Sequence, residues 1–152
     1  MNYEATLLTT EHLIYREIGT DNVSSKTLDS LRSFYDESMY FILKIFPDSE
    51  VWDAQTNDFI ASYSQNYNTF KENLEILLYR ADQYAFVKVN NDTIYPSLFH
   101  CERGFELVPE QRLLLAYPKK SSALKSGDVS LIFVDEVFQN GVLKFHFANE
   151  LL

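Results

Sequence analysis

At 152 residues the chain is long enough for one hydrophobic core to bury about 68–70% of the surface that its unfolded form exposes, without a disulfide or metal staple. Apolar residues at 46% and charged residues at 23% exclude a disordered or fibrous class. A net charge of -9, from 22 acidic and 13 basic side chains, disfavours nucleic acid as a partner and makes a basic protein the natural complement.

The lone cysteine, Cys101, rules out an internal disulfide and is compatible with a reducing compartment. The opening "MNYEATLLTT" lacks the basic and long apolar regions of a signal peptide. The longest greasy run, "MYFILKIF", is interrupted by Lys44 and falls far short of the roughly 20 apolar residues that span a bilayer. A cytoplasmic, soluble protein with no membrane partner is expected. No repeat or Gly/Ser/Pro-rich linker divides the chain, so one domain over residues 1–152 is expected.

In chain order, one or two strands are expected within residues 4–18. A helix follows from Ser25 to Phe46, where Leu28, Leu31, Tyr35, Met39, Ile42 and Phe46 recur at steps of three and four before Pro47 ends it. A second helix is expected to start near Asp53 as N-cap, with Phe59, Tyr63 and Tyr67 on one stripe. The third begins at Thr69, where Glu72 three residues on completes a capping box and Phe70, Leu74, Leu77 and Ala81 form the apolar face.

From Tyr84 the period changes to two. "YAFVKVN", "DTIYPSLF", "RLLLAY", "VSLIFVDEVF" and "VLKFHFAN" read as strands bounded by turn residues. Pro96 demotes the second run to an edge or a bulge, because proline donates no ladder hydrogen bond. Asn140-Gly141 predicts a type I′ hairpin that pairs Phe138 with Leu143, Glu136 with Phe145 and Val134 with Phe147 on the core side, and Asp135 with His146 on the other. The expected class is α+β: about three helices in the N-terminal half packed on one face of a mostly antiparallel sheet made by the C-terminal half, ending in a β-hairpin.

The motif inventory is mainly exclusionary. With glycine only at 19, 104, 127 and 141, neither common glycine-rich phosphate loop can be written. There is no G-x-S-x-G, no H-E-x-x-H and no zinc-spaced Cys or His pair, so no catalytic, metal or cofactor site is assigned. His100 and Cys101 are neighbours, but adjacent residues of a strand point to opposite faces, so they do not form a dyad while extended. Cys101 reads as a small, half-buried apolar residue, with a Cys/His-dependent enzyme as the alternative. Asp135 and His146 read as a surface ion pair, since no nucleophile accompanies them.

"PDSEVWDAQTND", residues 47–58, carries Asp48, Glu50, Asp53 and Asp58 around Trp52 with no basic residue among them. Its acids lack the spacing and the glycine of a calcium loop. Directly downstream, "ASYSQNYNTF" has the Tyr, Ser, Asn and Gln mixture of adaptable binding surfaces, although Tyr63 and Tyr67 also fit the inner stripe of a helix. Asp48, Glu50, Trp52, Asp53, Asp58, Tyr63 and Tyr67 are therefore the candidate partner-binding residues.

Acidity, small size and absence of catalytic motifs give the chain the physical character of a non-enzymatic inhibitor that occludes the cleft of a basic toxin or nucleic-acid-processing enzyme. Bacterial immunity proteins against nuclease toxins and small phage inhibitors of host enzymes share that character, though no motif carries the likeness. The basic segment 112–125, with Arg112, Lys119, Lys120 and Lys125 and no acid, keeps a homodimer open through contact with the acidic front of another copy.

Overall fold

The computed structural model describes residues 1–19, 23–48, 59–103, 109–119 and 128–148. In chain order its elements are β1 (Asn2–Leu8), α1 (Thr10–Ile18), α2 (Ser25–Tyr35), β2 (Ser38–Phe46), α3 (Phe59–Ser62) and α4 (Tyr67–Glu75). A π-helical turn (Ile76–Arg80) and a 3-10 turn (Ala81–Gln83) extend α4. The strands β3 (Ala85–Val89), β4 (Asp92–Ile94), β5 (Leu98–Arg103), β6 (Gln111–Pro118), β7 (Val129–Asp135) and β8 (Gly141–Phe147) follow. The α+β class holds, but the expected single sheet is replaced by two antiparallel four-stranded sheets, ordered β1-β2-β6-β5 and β4-β3-β7-β8.

The sheets pack face to face. Met39, Phe41, Leu43 and Ile45 of β2, and Leu113, Leu115 and Tyr117 of β6, meet Val87 and Val89 of β3 and Leu131 and Phe133 of β7 in one buried cluster. Across the interface Phe41 meets Phe147 with ring centroids 5.1 Å apart, and Tyr3 meets Phe133 at 6.3 Å. Each such ring buries a large rigid area, which is how 15% aromatic content is absorbed by a sandwich.

The expected helix over residues 25–46 is correct only to Tyr35. Ser24 caps α2 by accepting the Thr27 N–H, and the helix closes with the Asp36 N–H bonded to the Arg32 carbonyl. Met39, Ile42 and Phe46, which extended the apparent helical stripe, belong to β2, with Met39 turned inward and the other two outward. A central strand covered on both faces reads as a continuous apolar run, so a 3.6-residue period can be fitted to it by accident. Helices α1 and α2 lie on the outward side of the first sheet, where Arg16 pairs with Glu102 of β5 at 3.3 Å and Tyr35 meets Tyr40 of β2 edge-on at 5.6 Å.

The helix expected to start at Asp53 has its proposed cap outside the described residues, and its described part ends at Ser62. The Phe59, Tyr63 and Tyr67 stripe is therefore not continuous. Asn66, in extended conformation, starts α4 by accepting the Thr69 N–H at 3.0 Å, so the helix begins before the expected Thr69 box. Asparagine at the earlier position takes the capping role that Thr69 was expected to fill. Its apolar face is as expected: Phe70 and Leu74 pack on the core, and Leu77 and Ala81 are fully buried. The π-helical and 3-10 turns run beside β5 and β3 and close that edge of the sandwich. Among the described residues no helix is long and apolar enough to cross a membrane.

Pro96 falls between β4 and β5, an edge strand of each sheet, so the chain changes sheets where proline withholds a ladder donor. The final hairpin departs from expectation. Leu143 pairs with Phe133 rather than Phe138, and Phe145 with Leu131 rather than Glu136. This odd offset turns β7 over, so Val129, Leu131, Phe133 and Asp135 face the core in place of Ile132, Val134, Glu136 and Phe138.

Tyr117 is fully buried, edge-on to Phe41 at 5.7 Å, and its hydroxyl has no hydrogen-bond partner among the described residues. An unpaired buried polar group costs about 1–3 kcal/mol. Tyr117→Phe is accordingly expected to stabilise the fold while keeping the ring contact. A lower urea midpoint in this variant would contradict that account.

Candidate functional site

Asp135 ends β7 on the core side and is only 4% exposed. A carboxylate there must find donors, and the loop formed by residues 136–140 supplies them. Asp135 Oδ1 accepts the backbone N–H groups of Val137 at 3.2 Å and Phe138 at 2.9 Å. Oδ2 accepts the Asn140 N–H at 2.9 Å, the Asn140 side-chain Nδ2 at 2.8 Å and the Tyr3 hydroxyl at 2.6 Å. These bonds explain the failed two-residue turn. Asn140 is held by Asp135, and the positive φ values fall at Gln139 (58°) and Gly141 (80°) instead. Burial raises the Tyr3 pKa, and the adjacent Asp135 carboxylate raises it further.

The pinned loop buttresses part of the expected surface. Phe138 meets the Tyr63 ring edge-on at 5.7 Å. Tyr63 follows α3 and is 36% exposed, so this face of the ring is packed while its remainder meets solvent. Tyr67 opens α4 and is 72% exposed, with Phe70 at 6.4 Å and the Lys71 ammonium 5.8 Å from its ring centroid. Neither tyrosine belongs to an inner helical stripe.

Asp48 is exposed and lies just past the end of β2. Because Asn2 pairs with Phe46, that strand end is at the same end of the sandwich as Tyr3 and the loop of residues 136–140. The structure therefore brings Asp48 to the end that carries Tyr63, with exposed Glu136 in the intervening loop. Glu50, Trp52, Asp53 and Asp58 lie outside the described residues. Sequence reasoning did not single out Tyr3, and it gave Asp135, Phe138 and Asn140 the roles of a surface ion pair, a hairpin pair and a two-residue turn in place of the ones they hold. The available signal was an aspartate five residues ahead of Asn-Gly, a spacing suited to a side-chain-capped loop as well as to a hairpin.

The chemical alternatives have different geometry. Cys101 faces inward on β5, half-buried, and its Sγ donates to Gln111 Oε1 at 3.3 Å. His100 occupies the opposite face of that strand. The expected Asp135 and His146 pair does not form, because the altered register sets His146 opposite Ser130, whose Oγ is 3.1 Å from His146 Nδ1. Among the described residues no group of three or more His, Cys, Asp or Glu is placed to hold a metal. In the basic segment Arg112 pairs with Glu110, and Lys119 lines a cleft of about 130 Å³ with Asp36 and Tyr40, while Lys120 and Lys125 lie outside the described residues.

Asp135→Ala is expected to lower stability by on the order of 2–4 kcal/mol, since several donors lose one shared acceptor. Faster amide exchange at Val137, Phe138 and Asn140 is the local signature, and unchanged exchange there would refute the pinning. Raised tyrosine pKa values give a second expectation. Because the folded state holds the Tyr3 and Tyr117 phenols neutral, stability is at its full value below the ordinary tyrosine value of 10.0 and falls as pH rises above it. Their release of protons on unfolding gives a slope of up to about 1.4 kcal/mol per pH unit per tyrosine. Tyr3→Phe should flatten the alkaline limb of a denaturation-versus-pH curve, and an unaltered limb would contradict the assignment.

Comparison with protein-family models, curated proteins and solved structures produced no match, so the functional reading rests on the chemistry and geometry of this chain alone.

Proposed function

We propose that this chain is a non-enzymatic binding protein that neutralises a basic partner by covering its active cleft, as an immunity protein does for a nuclease-type bacterial toxin. The observation that carries the reading is the solvent-facing pair Tyr63 and Tyr67, the first braced by Phe138, with the Asp48 carboxylate at the same end of the sandwich as Tyr63. A tyrosine whose ring is already packed on one side loses little freedom when a partner covers the other, so more of the contact energy is retained in the complex.

Occlusion is the mechanism. Asp48 and the nearby sequence carboxylates Glu50, Asp53 and Asp58 take the place of substrate phosphates in a cationic cleft and accelerate encounter by long-range attraction. Trp52, Tyr63 and Tyr67 form the desolvated centre that governs dissociation. The net charge of -9 serves the first stage, and the aromatic rings serve the second.

Affinity capture with the intact chain, followed by stopped-flow binding to the purified basic partner, tests both stages. The association rate should fall as salt rises and fall further in Asp48→Lys. Tyr67→Ala should leave association nearly unchanged and speed dissociation by about 10- to 30-fold. Recovery of no basic partner, or an association rate indifferent to salt, would overturn the proposal.

A further inference from the structure

The outward face of the second sheet has chemistry unlike the rest of this acidic chain. Its cross-strand register aligns Thr93, Lys88, Ser130 and His146 in one row, and Phe86, Ile132 and Lys144 in the next, with Ser130 and Ile132 buried and Thr93, Lys88, His146 and Lys144 exposed. Tyr95 continues the second row, with its ring 5.8 Å from that of Phe86. No carboxylate stands in either row. Helices α1 and α2 lie on the other sheet. Lys88 and Lys144 also make no ion pair among the described residues, whereas Arg16, Arg32, Lys44 and Arg112 each pair with a carboxylate.

This cationic face ends at an open edge. Among the described residues β8 pairs with β7 alone, leaving the other side of its ladder without a strand. Its seven residues alternate between two kinds of position. Leu143, Phe145 and Phe147 point toward the core yet remain only partly buried, and Val142, Lys144 and His146 point outward and are exposed. An incoming strand that alternates apolar and acidic residues would satisfy both, completing the cover of the three inward side chains while setting carboxylates beside Lys144 and His146.

We propose that β8 and the face behind it bind an extended acidic segment of another protein, added as a fifth strand to the second sheet. Main-chain hydrogen bonds supply the pairing, and the alternation of charge and apolar side chains supplies the selectivity. Lysine on an exposed edge guards against indiscriminate pairing, and here it does so selectively, since a neutral or basic strand gains nothing from Lys144, Lys88 and His146. Antiparallel pairing of β8 with its own copy in the register centred on Lys144 would set the two lysines side by side, which disfavours a homotypic assembly. Tyr95 and Phe86 beside lysines also resemble a stacking platform for single-stranded nucleic acid, but the net charge of -9 opposes a polyphosphate more strongly than a short acidic strand.

The test is fluorescence anisotropy with the full chain and a labelled peptide of alternating Glu and Val, compared with a Lys/Val peptide and with oligo(dT). The Glu/Val peptide should bind, weaken as salt rises, and fail to bind when alternate backbone nitrogens are methylated. Lys144→Glu should weaken it about tenfold or more. Tyr67→Ala should leave it unchanged, which separates this site from the proposed inhibitory end. Three outcomes would each overturn the proposal: equal binding of the Lys/Val peptide, tighter binding of oligo(dT), or no binding of the Glu/Val peptide by a folded chain that sediments as a monomer. Self-association abolished by Lys144→Glu would overturn it in favour of a second copy.

Discussion

The carboxylate of Asp135 is the contact on which the organisation of this protein turns. It sits at the end of β7 and accepts from three backbone N–H groups of one loop and from the Asn140 amide. Tyr3 of β1 supplies a further donor from the opposite sheet. A buried acid so surrounded holds the two sheets in register at one end and gives the loop a single conformation. Without these donors, a charge at 4% exposure would be strongly unfavourable. With them, the same charge becomes a clamp whose geometry depends on several partners at once.

The consequences spread outward from that clamp. A fixed loop gives Phe138 a fixed place, and Phe138 braces Tyr63 from one side. The tyrosine surface is thus backed by a hydrogen-bonded scaffold. The opposite faces of the sandwich differ in a related way. The first sheet is covered by α1 and α2, whose acids are largely engaged in local pairs such as Glu11 with Arg32 and Glu17 with the Tyr35 hydroxyl. The second sheet carries Lys88 and Lys144 on strands widely separated in sequence, and neither makes an ion pair among the described residues.

Local patterning was legible where one physical cause dominated. The alternating runs after Tyr84 became strands, Pro96 marked a change of sheet, and the Phe70, Leu74, Leu77 and Ala81 face packed inward. Legibility failed where two causes compete for the same residues. "MYFILKIF" satisfies a helix stripe and a doubly covered strand alike, and only the presence of β1 and β6 on either side decides for the strand. Asn140-Gly141 favours a two-residue turn, but Asp135 offers the Asn140 N–H and side chain a buried acceptor. The longer loop follows, and its odd offset exchanges the buried and exposed faces of β7. Of the candidate surface, Tyr63 and Tyr67 are exposed where the sequence also allowed an inner helical stripe. Its support from Phe138 and Asp135 was hidden, because those residues lie more than 70 positions away in the chain.

By itself the sequence determined the acidic balance, the absence of the common glycine-rich and metal-binding motifs, the α+β content and the periods of most strands. Those are properties of composition and of neighbours within a few residues, and each follows from local sterics or net charge. Tertiary structure alone decided that the strands form two sheets, that Asp135 faces inward, and that Lys88, Lys144 and His146 share a surface. Each of these depends on strand register, and register is set by which distant side chains fill the same core and which distant donors satisfy a buried carboxylate.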